Sequence, residues 1–101
     1  MLETKVIFNN RCYGWSTDRE YNLKFVRHVE NMANDALMRN GWVCLNDIYC
    51  WLGLPKIIEA QAFGWQHSAG TDWQLTCVKF DVYDGNGPDI KFDLRNMIRL
   101  I

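Results

Sequence analysis

The stretch NGWVCLNDIYCWLGLP, running from Asn40 to Pro55, decides how the chain is laid out. Gly41 closes whatever helix precedes it, and Asn46 opens another. Only Trp42, Val43, Cys44 and Leu45 remain between them, room for a few extended residues. Leu52-Gly53-Leu54-Pro55 then stops the second helix with a glycine followed by a proline. A long helix, a short strand and a short helix therefore cross here.

Working upstream, Phe25, Val29, Met32 and Ala36 recur at helical spacing, and Val26, Ala33 and Leu37 widen that stripe. Ser16, Thr17 and Asp18 offer an N-cap, so a helix is expected over 18–40, about 33 Å long at 1.5 Å per residue. Arg19, Glu20, Lys24, Arg27, Glu30, Asp35 and Arg39 fall off the apolar stripe, as on a helix with one face in water. Thr4–Phe8 is rich in β-branched residues and reads as an opening strand, with turn chemistry at Asn9-Asn10.

Downstream, Asp47–Leu52 is a short helix, and Lys56–Phe63 (KIIEAQAF) has the composition of a second, with Gly64 as its stop. Trp73–Tyr83 is read as a half-buried strand, with Thr76, Val78, Phe80 and Val82 on one face. Asp84-Gly85-Asn86-Gly87-Pro88-Asp89 is the strongest turn signal in the chain, and Ile90–Leu94 alternates again behind it, which together predict an antiparallel hairpin. Met97–Ile101 is too apolar to be left loose and is expected to return to the sheet or core. The expected fold class is α+β: one long N-terminal helix and two short helices packed on an antiparallel sheet of three or four strands, in a single domain over residues 1–101.

Composition bounds the function classes. The chain has 101 residues, 49% hydrophobic and 23% charged, a globular balance in one domain-sized unit. Lys+Arg 11 against Asp+Glu 12 leaves a net charge of −1, which offers no general attraction to nucleic acid or anionic membrane. No segment approaches the roughly 20 apolar residues that span a bilayer, and MLETKVIFNN lacks the layout of a signal peptide, so a cytoplasmic protein is expected. In that compartment Cys12, Cys44, Cys50 and Cys77 are expected as reduced thiols, although their even number leaves two disulfides open.

Candidate chemistry is sparse. No pair of the cysteines or of His28 and His67 has the short gap that structural zinc sites use, so zinc would require tertiary convergence of Cys12, Cys44, Cys50 and Cys77. The Asp84–Asp89 run resembles the start of a calcium loop, but position twelve would be Arg95 rather than a bidentate glutamate. A phosphate loop and a nucleophile elbow are both missing from the sequence, and neither an enzyme nor a cofactor is expected. Asn46–Phe63 has the spacing of a helix-turn-helix, yet its would-be recognition segment carries only Lys56, offset by Glu59, which disfavours a DNA-binding regulator.

The run Gly41-Trp42-Val43-Cys44-Leu45-Asn46-Asp47-Ile48-Tyr49 resembles, in ordered series with later segments, a family of small uncharacterised phage and prophage proteins. Those later segments are Leu52-Gly53-Leu54-Pro55, Gly64-Trp65, Phe80-Asp81-Val82-Tyr83 and Phe92-Asp93-Leu94. The resemblance covers about residues 24 to 101 and leaves Met1–Asn22 unmatched. Cys44 and Cys50 depart from the family's pattern. The resemblance implies a phage origin and a fold more than a function. Small phage proteins without a catalytic constellation commonly occupy a surface of a host machine, a class that includes the anti-CRISPR proteins. The expectation is therefore a phage-encoded binding protein that inhibits a host defence effector such as a CRISPR nuclease by occupying a protein surface in the host cytoplasm. A virion or assembly component is the alternative that the same resemblance permits. Asp72, Trp73, Asp81, Tyr83, Asp84, Asp89 and Asp93 are the expected partner-binding residues, because an acidic edge bearing aromatics suits a basic protein groove.

The helical stripe supplies a first test. Val29→Asp would bury an unpaired charge and is expected to cost several kcal/mol, enough to abolish cooperative unfolding of a marginal domain in urea. Arg27→Asp, on the charged flank, is expected to unfold as the parent does, and equal loss in both variants would reject the assignment.

Overall fold

The computed structural model describes residues 4–83 and 87–101, and shows a mixed α+β architecture with two antiparallel sheets of three strands each. In chain order the elements are β1 (Lys5–Phe8), α1 (Arg19–Asn40), β2 (Trp42–Cys44) and α2 (Leu45–Leu52). A 3-10 turn (Glu59–Ala62) follows, then β3 (Phe63–Gln66), α3 (Trp73–Thr76), β4 (Lys79–Val82), β5 (Ile90–Arg95) and β6 (Ile98–Arg99). The first sheet has the order β1-β5-β4 and the second β2-β3-β6.

Helix α1 lies centrally rather than at the N-terminus, because β1 precedes it in the chain and pairs with β5 from the far end. Its ends are set locally: the Asp18 carboxylate accepts from the amides of Glu20 and Tyr21, and Gly41, at φ 83°, donates its N–H to the Leu37 carbonyl. The buried stripe is centred on Val26, Val29, Ala33, Ala36 and Leu37, with Phe25 and Met32 half-buried beside it. Phe25 stacks on Phe8 with ring centroids 5.2 Å apart. Trp65, fully buried on β3, donates its indole N–H to the Arg95 carbonyl on β5 at 2.7 Å and so ties the second sheet to the first.

Two sequence expectations are corrected. Trp73–Tyr83 is not one strand: Asp72 caps the Gln74 amide at 3.0 Å, one helical turn forms over Trp73–Thr76, and extended pairing begins only at Lys79. The alternation held from Val78 onward, where Val78 and Phe80 are buried, while at Trp73–Thr76 the cap overrode it. Lys56–Phe63 is not an α-helix either. The Asn46 side chain takes both backbone groups of Ile57, at 2.9 and 3.1 Å, and Ala60 and Gln61 then close 3-10 bonds onto Ile57 and Ile58. Phe63 and Gly64 pass into β3, so Gly64 lies within a strand rather than stopping a helix. A Cβ there would collide with the Val43 carbonyl oxygen of β2. The two-helix arrangement of a helix-turn-helix is consequently not formed. The tail does return as expected, with β6 pairing Phe63 to Arg99 and Gly64 to Ile98.

Strand β4 is an edge, and α1 closes it with side chains. The ladder pairs Lys79 with Arg95 and Asp81 with Asp93, and Tyr83 donates to the Lys91 carbonyl, so the alternation turns the N–H and C=O of Phe80 away from β5. Glu30 accepts the Phe80 N–H at 2.6 Å and Arg27 donates to its carbonyl at 2.8 Å, while Asn34 grips Val78 through both groups at 2.7 and 2.9 Å. Arg27 is therefore part of the fold, and the tolerance expected for Arg27→Asp is revised; Lys24, exposed and among the described residues paired only with Glu20 along the helix, is the better control.

Asn34→Ala should cost about 1–3 kcal/mol, since it strands both backbone groups of Val78 at a part-buried site. Asn31→Ala, exposed on the same helix, should change stability by no more than about 0.5 kcal/mol. Urea denaturation of the pair measures the difference, and equal midpoints would refute the clamp.

Candidate interaction surfaces on the two sheets

The outer face of the first sheet is assembled by alternation. Phe8, Phe80, Phe92 and Leu94 point to the core, which leaves Lys5, Ile7, Lys79, Asp81, Lys91, Asp93 and Arg95 on the opposite side. The register sets Asp93 between Lys5 on β1 and Asp81 on β4. Asp81 turns to Arg95, whose Nε lies 2.9 Å from its carboxylate, and Lys5 Nζ sits 5.6 Å from the centre of the Tyr83 ring. Among the described residues Asp93 Oδ1 is buried without a hydrogen-bond partner, at the edge of a shallow hollow of about 360 Å³ shared with Lys5 and Tyr83.

Of the seven residues singled out from the sequence, the structure brings Asp81, Tyr83 and Asp93 together on this face. They alternate there with Lys5, Lys79, Lys91 and Arg95, so the face carries both signs of charge. Asp72 and Trp73 lie elsewhere, Asp72 as a helix cap and Trp73 half-buried against the core, edge-on to His67 at 4.9 Å. Asp89 fastens the loop before α1: its carboxylate accepts from the Trp15 indole at 3.0 Å and its carbonyl from Arg19 at 2.9 Å. Asp84 lies outside the described residues.

The second sheet presents a different surface, an open groove of about 440 Å³ across its outer side. Trp42 and Cys44, two apart on β2, share a face, and the register sets Gln66 opposite Trp42 and Gly64 opposite Cys44. Leu100 forms one wall of the groove, and its Cδ1 lies 2.9 Å from where a Cβ on Gly64 would be. The Cys44 thiol donates to the Ala60 carbonyl at 3.3 Å and lies 3.6 Å from the Gln61 side-chain oxygen, which places that amide at the far end. Asp47, in the first turn of α2, also lines the groove and has no hydrogen bond or ion pair among the described residues. Trp42 is 53% exposed and Ile101 84%, so the rim is apolar as well as open. Sequence reading missed this site because it needs β3 as a strand; with Phe63 and Gly64 assigned to a helix end, Trp42 and Gln66 have no reason to meet.

All four cysteines are free. Cys12, Cys44 and Cys77 are buried and Cys50 is exposed on α2. Burial pushes the Cys12 thiol above its ordinary range, with the Asp89 charge acting in the same direction and a hydrogen bond from the Asn9 backbone opposing both. His67 Nδ1 lies 2.7 Å from the Thr76 hydroxyl, within the tie between the 66–72 loop and α3. Among the described residues three or more His, Cys, Asp or Glu side chains nowhere gather as metal ligands, and no helix is long and apolar enough to cross a membrane.

The chain belongs to the family of unknown function DUF6353, whose profile matches residues 2–98 and thus takes in most of the N-terminal stretch that the sequence resemblance left unmatched. No curated protein and no solved structure matches it.

The thiols give a test of the packing. In the native protein Cys50 should be alkylated readily while Cys12, Cys44 and Cys77 react only after denaturant is added, since reactivity follows thiolate character and exposure. Mass mapping of the alkylated sites distinguishes this from uniform labelling, which would contradict the burial of the other three.

Proposed function

We propose that the chain is a binding protein that acts by occupying a surface of a larger protein, and that it is a phage-encoded inhibitor of a host defence effector such as a CRISPR nuclease, working in the host cytoplasm. The observation that supports binding is the uncovered outer face of the second sheet. There Trp42, Leu100 and Ile101 line an open groove together with Cys44, Asp47, Gln61 and Gln66. Exposed apolar patches with polar groups at their margin mark association sites, and a half-exposed tryptophan over a cavity is the residue type that carries most of the energy in such interfaces. The mixed-charge face of the first sheet suits orienting a partner at short range more than attracting one from a distance, because its signs alternate and cancel within a Debye length. The phage setting rests on the ordered sequence resemblance alone.

The regulator reading is not carried forward, since the segment after Gly53 lacks the second α-helix that would enter a groove of DNA. The test uses a guide-loaded CRISPR nuclease. The wild-type domain should bind it and slow target cleavage, and Trp42→Ala should weaken binding by about tenfold or more while leaving thermal unfolding unchanged. Absence of binding to any defence effector by the wild-type domain would remove the inhibitor reading, and full potency in Trp42→Ala would move the contact surface away from the second sheet.

A further inference from the structure

We propose that the groove over the second sheet receives the guanidinium group of an arginine side chain presented by an extended segment of a protein partner. This rests on the reading of the chain as a protein-binding domain and names what its groove takes. The lining is specific in its chemistry. Among the described residues Asp47 carries the one charged side chain on the wall, and that carboxylate has no partner there. Trp42 offers an exposed indole to the same groove, and Gln66 stands opposite it across the strand pair. The oxygen of Gln61 already faces inward, 3.6 Å from the Cys44 sulfur. The groove therefore combines a carboxylate, two side-chain amides that can accept hydrogen bonds, and one aromatic face.

A guanidinium uses all of these together. It is planar, so it stacks on an indole; it donates through a fork, so it can bond a carboxylate and a neighbouring amide oxygen at once. An ammonium is a compact, strongly hydrated charge that would satisfy Asp47 without using the tryptophan face as well, and an anion would meet Asp47 unfavourably. The nearby guanidinium of Arg99 is bonded through Nε to the Ile101 carbonyl at the rim, at 2.8 Å, and not to Asp47. A volume of about 440 Å³ leaves room beyond one side chain, which is why the arginine is assigned to an extended segment whose main chain runs along the wall formed by Leu100. Glycine at position 64 is required for a separate reason, since a Cβ there would collide with the Val43 carbonyl oxygen and press on Leu100 of the groove wall.

The test requires no knowledge of the partner. Acetyl-arginine amide is titrated into the isotope-labelled domain, and acetyl-citrulline amide, which has nearly the same shape without the charge, is titrated in parallel. The expected result with arginine is a saturable shift of the Trp42 indole N–H and of the Gln61 and Gln66 side-chain amides in the NMR spectrum. The citrulline compound should bind at least about tenfold more weakly, and Asp47→Asn should weaken arginine binding by at least about tenfold with the spectrum otherwise intact. Equal binding of the two compounds would show that the groove takes a neutral amide and overturn the proposal. So would an absence of saturable shifts at the groove, or shifts confined to Asp81 and Asp93 on the first sheet. Because the measurement is made on the isolated domain, groove binding without any defence-effector binding would retain this inference and discard the inhibitor reading, and the converse outcome would do the reverse.

Discussion

Three asparagine side chains and one ion pair do in this fold what neighbouring strands do elsewhere. A primary amide presents a donor and an acceptor at nearly the spacing of a peptide group, so it can take both backbone groups of one residue at once. Asn34 does this to Val78 and Asn46 to Ile57, and Asn22 accepts from the Ser16 amide and donates to its carbonyl, each at 2.8 Å. Glu30 and Arg27 divide the same task over Phe80. Asn22 also donates to the Pro88 carbonyl, binding the loop before α1 to the chain entering β5. A domain of this size buries only about two thirds of its extended surface, and burying loop backbone unpaired would cost about 1–3 kcal/mol per group. The grips remove that cost where no strand is available.

They also determine which sheet edges remain open. On β4 the outward groups of Phe80 are taken by α1. On β1 they are not. Leu94 donates to the Thr4 carbonyl, so alternation turns the backbone groups of Lys5 and Ile7 away from β5, beside a small hollow walled by Tyr49, Leu54 and Pro55. That edge is only four residues long and carries a lysine, two of the usual means by which proteins discourage unwanted strand addition. The two edges of one sheet are thus managed by different physics, side-chain capture on one and shortness with charge on the other.

How much of this was legible in the sequence follows from the range of the interactions. Helix α1, its Asp18 and Gly41 caps, α2 and its Gly53 stop, and the β4–β5 pairing are set by neighbours in the chain, and periodicity found them. The single expected sheet became two because β3 was hidden: KIIEAQAF has helix-forming residues, but Asn46, eleven positions upstream, holds Ile57 by both backbone groups, and only a 3-10 turn forms before Phe63 enters β3. At Asp72 the failure was of another kind, since the cap was visible and was outweighed by an alternation pattern that applied only from Val78. The candidate surface suffered most. Counting aspartates in the final third suggested an acidic edge, yet the cross-strand register interleaves Asp81 and Asp93 with Lys5 and Arg95, and register is a property of paired strands that composition does not contain.

The groove on the second sheet depends on the same long-range logic, and this bears on how it could work. Gly64 lets β3 approach β2 closely at the Val43 carbonyl, and β3 begins directly after the 3-10 turn that Asn46 anchors at Ile57. Asn46 sits in the first turn of α2 beside Asp47, so the residue that anchors that turn and the residue that charges the wall are adjacent in the chain. Cys44, the N-cap of α2, joins them through its thiol to the Ala60 carbonyl. The groove is therefore framed by one short crossing, with Trp42 at its start. A site built in this way is preorganised, and binding to it would order few groups that are not already fixed. The parts left free to adjust are the exposed Trp42 ring and the Ile101 end, both on the rim of the groove.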